Sequence, residues 1–160
     1  VNFDRAFERL IGHEGGYVSA EQARRNNDPG GETKYGVSKR SYPGEDIAGL
    51  TLDRAKEIYR RDFWGPAGCD AVPDGVKFDL FDMAVNSGVR RAVQTLQRAV
   101  FEQQDGILGP RTLQAVQNMP APRLAARFNG GRLEFMASLS NWPENGRGWA
   151  RRIASNLLEV

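Results

Sequence analysis

The segment VKFDLFDMAVNSG, residues 76–88, decides the fold class. Val76, Phe78, Leu80, Phe81, Met83, Ala84 and Val85 make it apolar on several sides, the pattern of a helix running through the middle of a body. Asp79, Asp82 and Asn86 recur within it at helical spacings of three and four. They read either as a polar stripe facing a cleft or as partners for neighbouring helix ends, and the second reading is preferred.

Helical patterns extend outward in both directions. Upstream, Thr51 caps a helix that carries Leu52, Ala55, Ile58, Tyr59 and Phe63 on one face. Before it, Phe3, Phe7, Leu10 and Ile11 define a first amphipathic helix of about three turns, which Gly15 and Gly16 end. Downstream, Val89, Val93, Leu96 and Val100 continue the helical period. Pro110 suits the first position of a helix containing Leu113 and Val116. Two or three further helices follow from about Pro122 and Gly148, with Leu133, Phe135, Met136, Leu139, Trp149, Ile153 and Leu157 as core candidates. Trp64, Trp142 and Trp149 are expected to pack between helices. Strand signals are nearly absent. The polar, breaker-rich stretch 18–36 is a long loop or a small irregular sheet, and the residues after it allow one helical turn before Pro43. The fold is therefore mainly α, with any sheet confined to residues 17–37.

At 160 residues the chain is one domain, or one compact body with two lobes. No apolar run approaches the roughly 18 residues of a membrane span. Asp4, Arg5, Glu8 and Arg9 make residues 1–10 unlike a signal peptide. Cys69 is the only cysteine and His13 the only histidine. No intrachain disulfide can form, and a Cys/His zinc site lacks ligands. A Ser-His or Cys-His nucleophile would need His13 as its base. Carboxylates remain as the natural acid–base groups.

Charge is distributed unevenly. Residues 1–86 hold 12 Lys+Arg against 15 Asp+Glu, whereas residues 87–160 hold 10 against 5, every cation there an arginine. The excess fits an anionic partner such as nucleic acid, a membrane surface or a wall polymer, or else a helical region with solvated arginines. Arg111, Arg123, Arg127 and Arg132 are spread out rather than clustered on one helix face, which argues against nucleic acid.

Three groups in the first quarter combine into a chemical constellation. Glu14 lies four residues after Leu10 and three after Ile11, beside the apolar stripe at a helix C-terminus. Both settings hold a proton on a carboxylate, as a general acid for glycosidic cleavage requires. Asp28, in the polar turn NNDPGG, stays ionised and suits the stabilising role, and the Thr33 hydroxyl is able to orient a water. Asp28 is equally at home bonding to its own turn backbone, and Thr33 has a structural reading too. Tyr17 and Tyr35 flank these groups, either to stack on sugar faces or to pack in the core. His13 neighbours Glu14 but points elsewhere on a helix and is given no catalytic role.

In order along the chain, HEGGYV, DPGGETKYGVSKRSYP, IYRRDFWGPAGCD, LFDMAVNSG and LQRAV with DGILGPRT resemble the glycoside hydrolase family 108 lysozymes. These are N-acetylmuramidases, often phage endolysins, named for their Glu-Gly-Gly-Tyr motif. The resemblance spans nearly the whole chain and implies a lysozyme-like helical fold. It places the family's catalytic glutamate on Glu14, and its Asp-Pro-Gly-Gly-x-Thr element on Asp28 and Thr33. The inserted AEQARRN lengthens the loop before Asp28, so Glu21 and Glu32 stand beside Asp28 as carboxylates for the second role. By the same resemblance residues 1–86 form a catalytic segment. Residues 87–160 form a helical peptidoglycan-binding-like lobe packed on it in a single compact body; a purely structural lobe is the plainer reading.

The expected activity is hydrolysis of the β-1,4 bond between N-acetylmuramic acid and N-acetylglucosamine in bacterial peptidoglycan. Glu14 is the general acid, Asp28 and Thr33 complete the catalytic set, and Tyr17 and Tyr35 bind substrate. No metal or organic cofactor is implied. The expected protein is a monomer with peptidoglycan rather than nucleic acid as its partner. It is made in a host cytoplasm and acts on the wall or periplasm, with a holin for passage of the membrane. A lytic transglycosylase acting on the same bond and a wall-binding protein without catalysis are the rival readings.

Overall fold

The structure, a computed structural model, describes residues 1–12 and 16–158. Helix makes up 63% of it, in eight α-helices among the described residues, with one two-stranded antiparallel sheet. The chain forms two compact units, residues 2–61 and residues 62–160 together with Val1.

In the first unit, α1 (Phe3–Ile11) begins where the Asn2 side chain accepts the Arg5 N–H at 3.0 Å. It ends at Gly12 (φ +56°), three residues before the expected Gly15, because glycine takes this positive φ without a Cβ penalty. Phe3, Ala6 and Phe7 are buried, while Leu10 and Ile11 are half-buried. The stretch expected to be only loop or sheet contains a helix, α2 (Ala20–Arg25), whose Ser19 cap accepts the Gln22 N–H at 3.2 Å. The Ser-x-x-Gln spacing is a helix-start signal that the polar composition obscured.

Strands β1 (Thr33–Lys34) and β2 (Val37–Ser38) form a hairpin in the register Thr33↔Ser38 and Lys34↔Val37. Val18 bridges to Thr33 on the other side. The sheet thus falls where the sequence pattern allowed one, with Ser38 one residue beyond it. After β2, the Tyr42 N–H donates to the Ser38 carbonyl at 3.0 Å, which supplies the single helical turn before Pro43.

Helix α3 (Leu52–Tyr59) starts at the expected cap, with Thr51 Oγ1 accepting the Arg54 N–H at 3.1 Å. Ala55, Ile58 and Tyr59 are buried, Phe63 is half-buried, and Leu52 lies outside the core at 40% exposure. The Tyr59 ring meets Phe7 edge-on at 5.2 Å, joining α3 to α1. A π-helical turn, Arg60–Trp64, follows α3.

The second unit is built around α4 (Asp74–Ser87), in which every residue from Phe78 to Ala84 is buried. Helices α5 (Val89–Ala99) and α7 (Ala121–Ala137) pack on it, and α8 (Trp142–Leu157) packs on α7. Between them α6 (Pro110–Asn118) opens with Pro110, as its fixed φ favours. Helix α8 begins six residues before the expected Gly148. Gly146 and Gly148 lie within it, and the Trp142 indole covers Gly146 so closely that a Cβ there would stand 2.5 Å from the ring. Leu133 and Leu157, expected in the core, are 37% and 42% exposed. Trp64 is buried edge-on against Phe81, and Trp142 and Trp149 face each other within α8 at 6.1 Å.

Asp79 and Asp82 face neither a cleft nor helix ends but the side chains of α7 and α8. Asp82 is fully buried, 2.7 Å from the equally buried Arg132 and 2.6 Å from Arg152. Asn86 donates back to the Asp82 side chain at 3.0 Å. Asp79 accepts from Asn129 at 2.7 Å. Burial pushes its carboxyl above the ordinary range, outweighing the opposing Asn129 hydrogen bond and Arg132 charge.

Candidate active site

Of the expected site residues, Asp28, Thr33, Tyr17 and Tyr35 belong to the first unit, while Glu14 and His13 lie outside the described residues. Asp28 and Thr33 meet through one tight turn. The Asp28 N–H donates to the Ala23 carbonyl at 2.8 Å, so α2 sets where the turn begins. Asp28 Oδ1 accepts the Gly30 N–H at 2.8 Å, its carbonyl accepts the Gly31 N–H at 3.3 Å, and Thr33 Oγ1 donates to the Gly31 carbonyl at 3.1 Å. The Asp28 side chain therefore does organise its own turn, as Asp before Pro-Gly-Gly commonly does. It is exposed, and Oδ2 has no protein partner among the described residues. Thr33 is half-buried, with its backbone bonded to Val18 at 2.8 and 2.9 Å.

Tyr17 precedes the Val18 bridge and is 44% exposed, its hydroxyl donating to Glu32 Oε1. That hydrogen bond to a carboxylate raises the Tyr17 phenol above its ordinary pKa. Of the two alternative carboxylates, Glu32 is thus tied to Tyr17 beside Thr33. Glu21 pairs with Arg25 at 2.5 Å, both about three-quarters exposed. The Tyr17–Glu32 pairing was not legible in sequence, because the two are 15 positions apart and only the Val18–Thr33 bridge aligns them.

Tyr35 occupies the other end of the hairpin. It and Gly36 are the two turn residues, with φ +50° and +75°, as in a type I′ turn. The Tyr35 carbonyl accepts the Tyr59 hydroxyl at 3.2 Å. Lys34 and Lys39 brace the hairpin by donating to the Ala48 and Glu45 carbonyls at 3.0 and 2.7 Å. Arg54 in turn bonds the Glu45 carboxylate at 2.6 Å and holds it below its ordinary pKa. A turn with one carboxylate oxygen unpaired among the described residues and one hydroxyl whose hydrogen is already committed carries acceptors able to stabilise positive charge and orient water. No group of three or more His, Cys, Asp or Glu side chains among the described residues is arranged to hold a metal.

A family model described as glycosyl hydrolase 108 matches residues 7–88. The chain belongs to that family. A second model, described as a predicted peptidoglycan domain, matches residues 91–154. Among solved structures the chain is similar to SagA of Brucella abortus, at 32% identity and a TM-score of 0.85 over 98% of this chain and 92% of that one. No curated protein sequence matches it. As a family 108 member the chain is a glycoside hydrolase with a cell-wall, lysozyme-type function and peptidoglycan as its partner. Among the described residues, no helix is long and apolar enough to cross a membrane.

Proposed function

We propose that the protein is an N-acetylmuramidase that hydrolyses the β-1,4 bond between N-acetylmuramic acid and N-acetylglucosamine. The observation that carries the reading is the joint match of a glycoside hydrolase model and a peptidoglycan model, end to end in one chain. Glu14 of the Glu-Gly-Gly-Tyr motif donates its proton to the leaving oxygen. Asp28, whose Oδ1 is anchored on Gly30, offers Oδ2 to the cationic transition state. Thr33 gives its hydrogen to the Gly31 carbonyl, so its oxygen accepts from a water and aims that water's lone pair. Tyr17 and Tyr35 border the sugar-binding surface. Residues 1–86 form the catalytic segment and residues 87–160 the wall-binding lobe. The enzyme works as a monomer of the endolysin type, reaching the wall through a holin-type pore.

Mass spectrometry of soluble products from purified peptidoglycan, with Glu14→Gln in parallel, tests this. Fragments ending in reducing N-acetylmuramic acid, lost in the variant, are expected. Fragments lighter by one water would identify a transglycosylase instead. Absence of fragments from the folded wild type would leave wall binding without catalysis.

A further inference from the structure

A groove runs between α5 and α7, formed by two adjoining cavities of about 180 and 230 Å³. They share Thr95, Arg98, Gly131 and Glu134. Three guanidinium groups line the groove against one carboxylate. Arg98 pairs with Glu134 at 2.7 Å. Arg91 stands over the Phe135 ring at 4.8 Å, and Arg127 donates to the Ala99 carbonyl at 2.5 Å beneath the Phe101 ring plane. Neither of these two has an ion-pair partner among the described residues, so both are positioned while their charge stays uncompensated.

The floor has a feature that packing leaves unexplained. Gly130 and Gly131 are adjacent inside α7, where glycine weakens a helix relative to alanine. At Gly131 a Cβ would stand 3.4 Å from Thr95 Cγ2 on α5, an ordinary van der Waals contact. At Gly130 a Cβ would meet nothing within 4 Å. A helical glycine with open space in front of it, on the wall of a cationic groove, suits a ligand that comes close to backbone.

We propose that this groove binds the peptide stem of peptidoglycan, seating its carboxylates on Arg91 and Arg127 and the ammonium of its diamino acid at Glu134. The choice of peptidoglycan rests on the wall-hydrolase reading above, and the groove falls within the part of the chain matched by the peptidoglycan model. Two observations select the peptide over other wall components. The Phe135 face that a sugar would stack on is covered by Arg91. Glu134 suits a ligand of mixed charge, whereas a phosphate polymer brings no cation to meet it.

NMR titration of the full chain with the free stem tetrapeptide (alanine, γ-linked glutamate, diaminopimelate, alanine) tests the assignment. The expected result is shifts at the Gly130 and Gly131 amides, with Kd raised about tenfold or more in an Arg91→Gln/Arg127→Gln double variant. Gly130→Leu, which has room to fold, fills the groove and raises Kd likewise. No shift at millimolar peptide, unchanged Kd in both variants, or shifts with a glycerol phosphate oligomer in place of the peptide would overturn the proposal. The peptide contains no glycosidic bond. Binding without peptidoglycan cleavage therefore removes only the muramidase reading, and cleavage without peptide binding removes only the groove.

Discussion

The Tyr59 hydroxyl on α3 donates to the Tyr35 carbonyl at 3.2 Å, and the same oxygen closes the space above Gly36, where a Cβ would stand 2.3 Å from it. One side chain thus both anchors the hairpin that carries Thr33 and disfavours a side chain at Gly36. Because the Tyr59 ring also packs on Phe7, the hairpin is referenced to the helix that leads towards the Glu-Gly-Gly-Tyr motif.

Gly36→Ala is expected to destabilise the protein by about 2 kcal/mol, from positive φ together with the Tyr59 contact. In a Tyr59→Phe background the contact is gone, and the same change should cost only about 1 kcal/mol. Urea unfolding of the four proteins reads the difference. Equal costs in both backgrounds would show that the contact has no energetic weight.

Asp28→Asn separates the turn role from the charge role. The amide oxygen still accepts from Gly30, so stability should stay within about 0.5 kcal/mol of wild type. Peptidoglycan cleavage should fall by about 10²-fold or more if the carboxylate faces developing positive charge. Turnover within twofold of wild type would leave Asp28 as a turn residue only.

Removing the charge at Asp82 strands Arg132, which is completely buried and has no other ion-pair partner among the described residues. Asp82→Ala is therefore expected to cost about 3–5 kcal/mol, the range for breaking a buried ion pair. Thermal and denaturant unfolding measure it. A loss near that of an exposed pair would mean that water reaches Arg132.

Asp79 gives the protein a pH dependence of defined sign. Burial holds its carboxyl above the ordinary 3.8, so the native state keeps a proton that the unfolded chain releases. Its stabilising contribution is complete below the unfolded value and is lost as pH rises through the native one. Asp79→Asn carries no charge at any pH. Its stability relative to wild type should therefore increase from about pH 4 upward and then level off. Unfolding curves that stay parallel across this range would contradict the shift.

Where order along the chain mattered, the sequence was informative. The all-round apolar segment of α4, the Thr51 cap, Pro110 at a helix start and the placing of the small sheet each depend on residues a few positions apart. The misplaced boundaries have local causes too. Gly12 ended α1 before the more conspicuous Gly15–Gly16 pair, Ser19 started a helix inside a polar stretch, and the last helix, expected from about Gly148, begins at Trp142. At the candidate site, the motif marked Asp28 and Thr33. Their sharing of one turn follows from bonds between near neighbours.

By itself, then, the sequence determined a mainly helical chain, because helical period, caps and tight turns are set by residues within about one or two turns of each other, and the order of its motifs gave the resemblance to the family. Tertiary structure alone decided that Tyr17 meets Glu32, that Tyr59 holds Tyr35, and that Asp82 pairs with Arg152 at a separation of 70 positions. It also brought Arg91, Arg98 and Arg127 to the two adjoining cavities that share Gly131. Such partners depend on which faces of which helices and strands come together, and spacing along the chain carries no record of that.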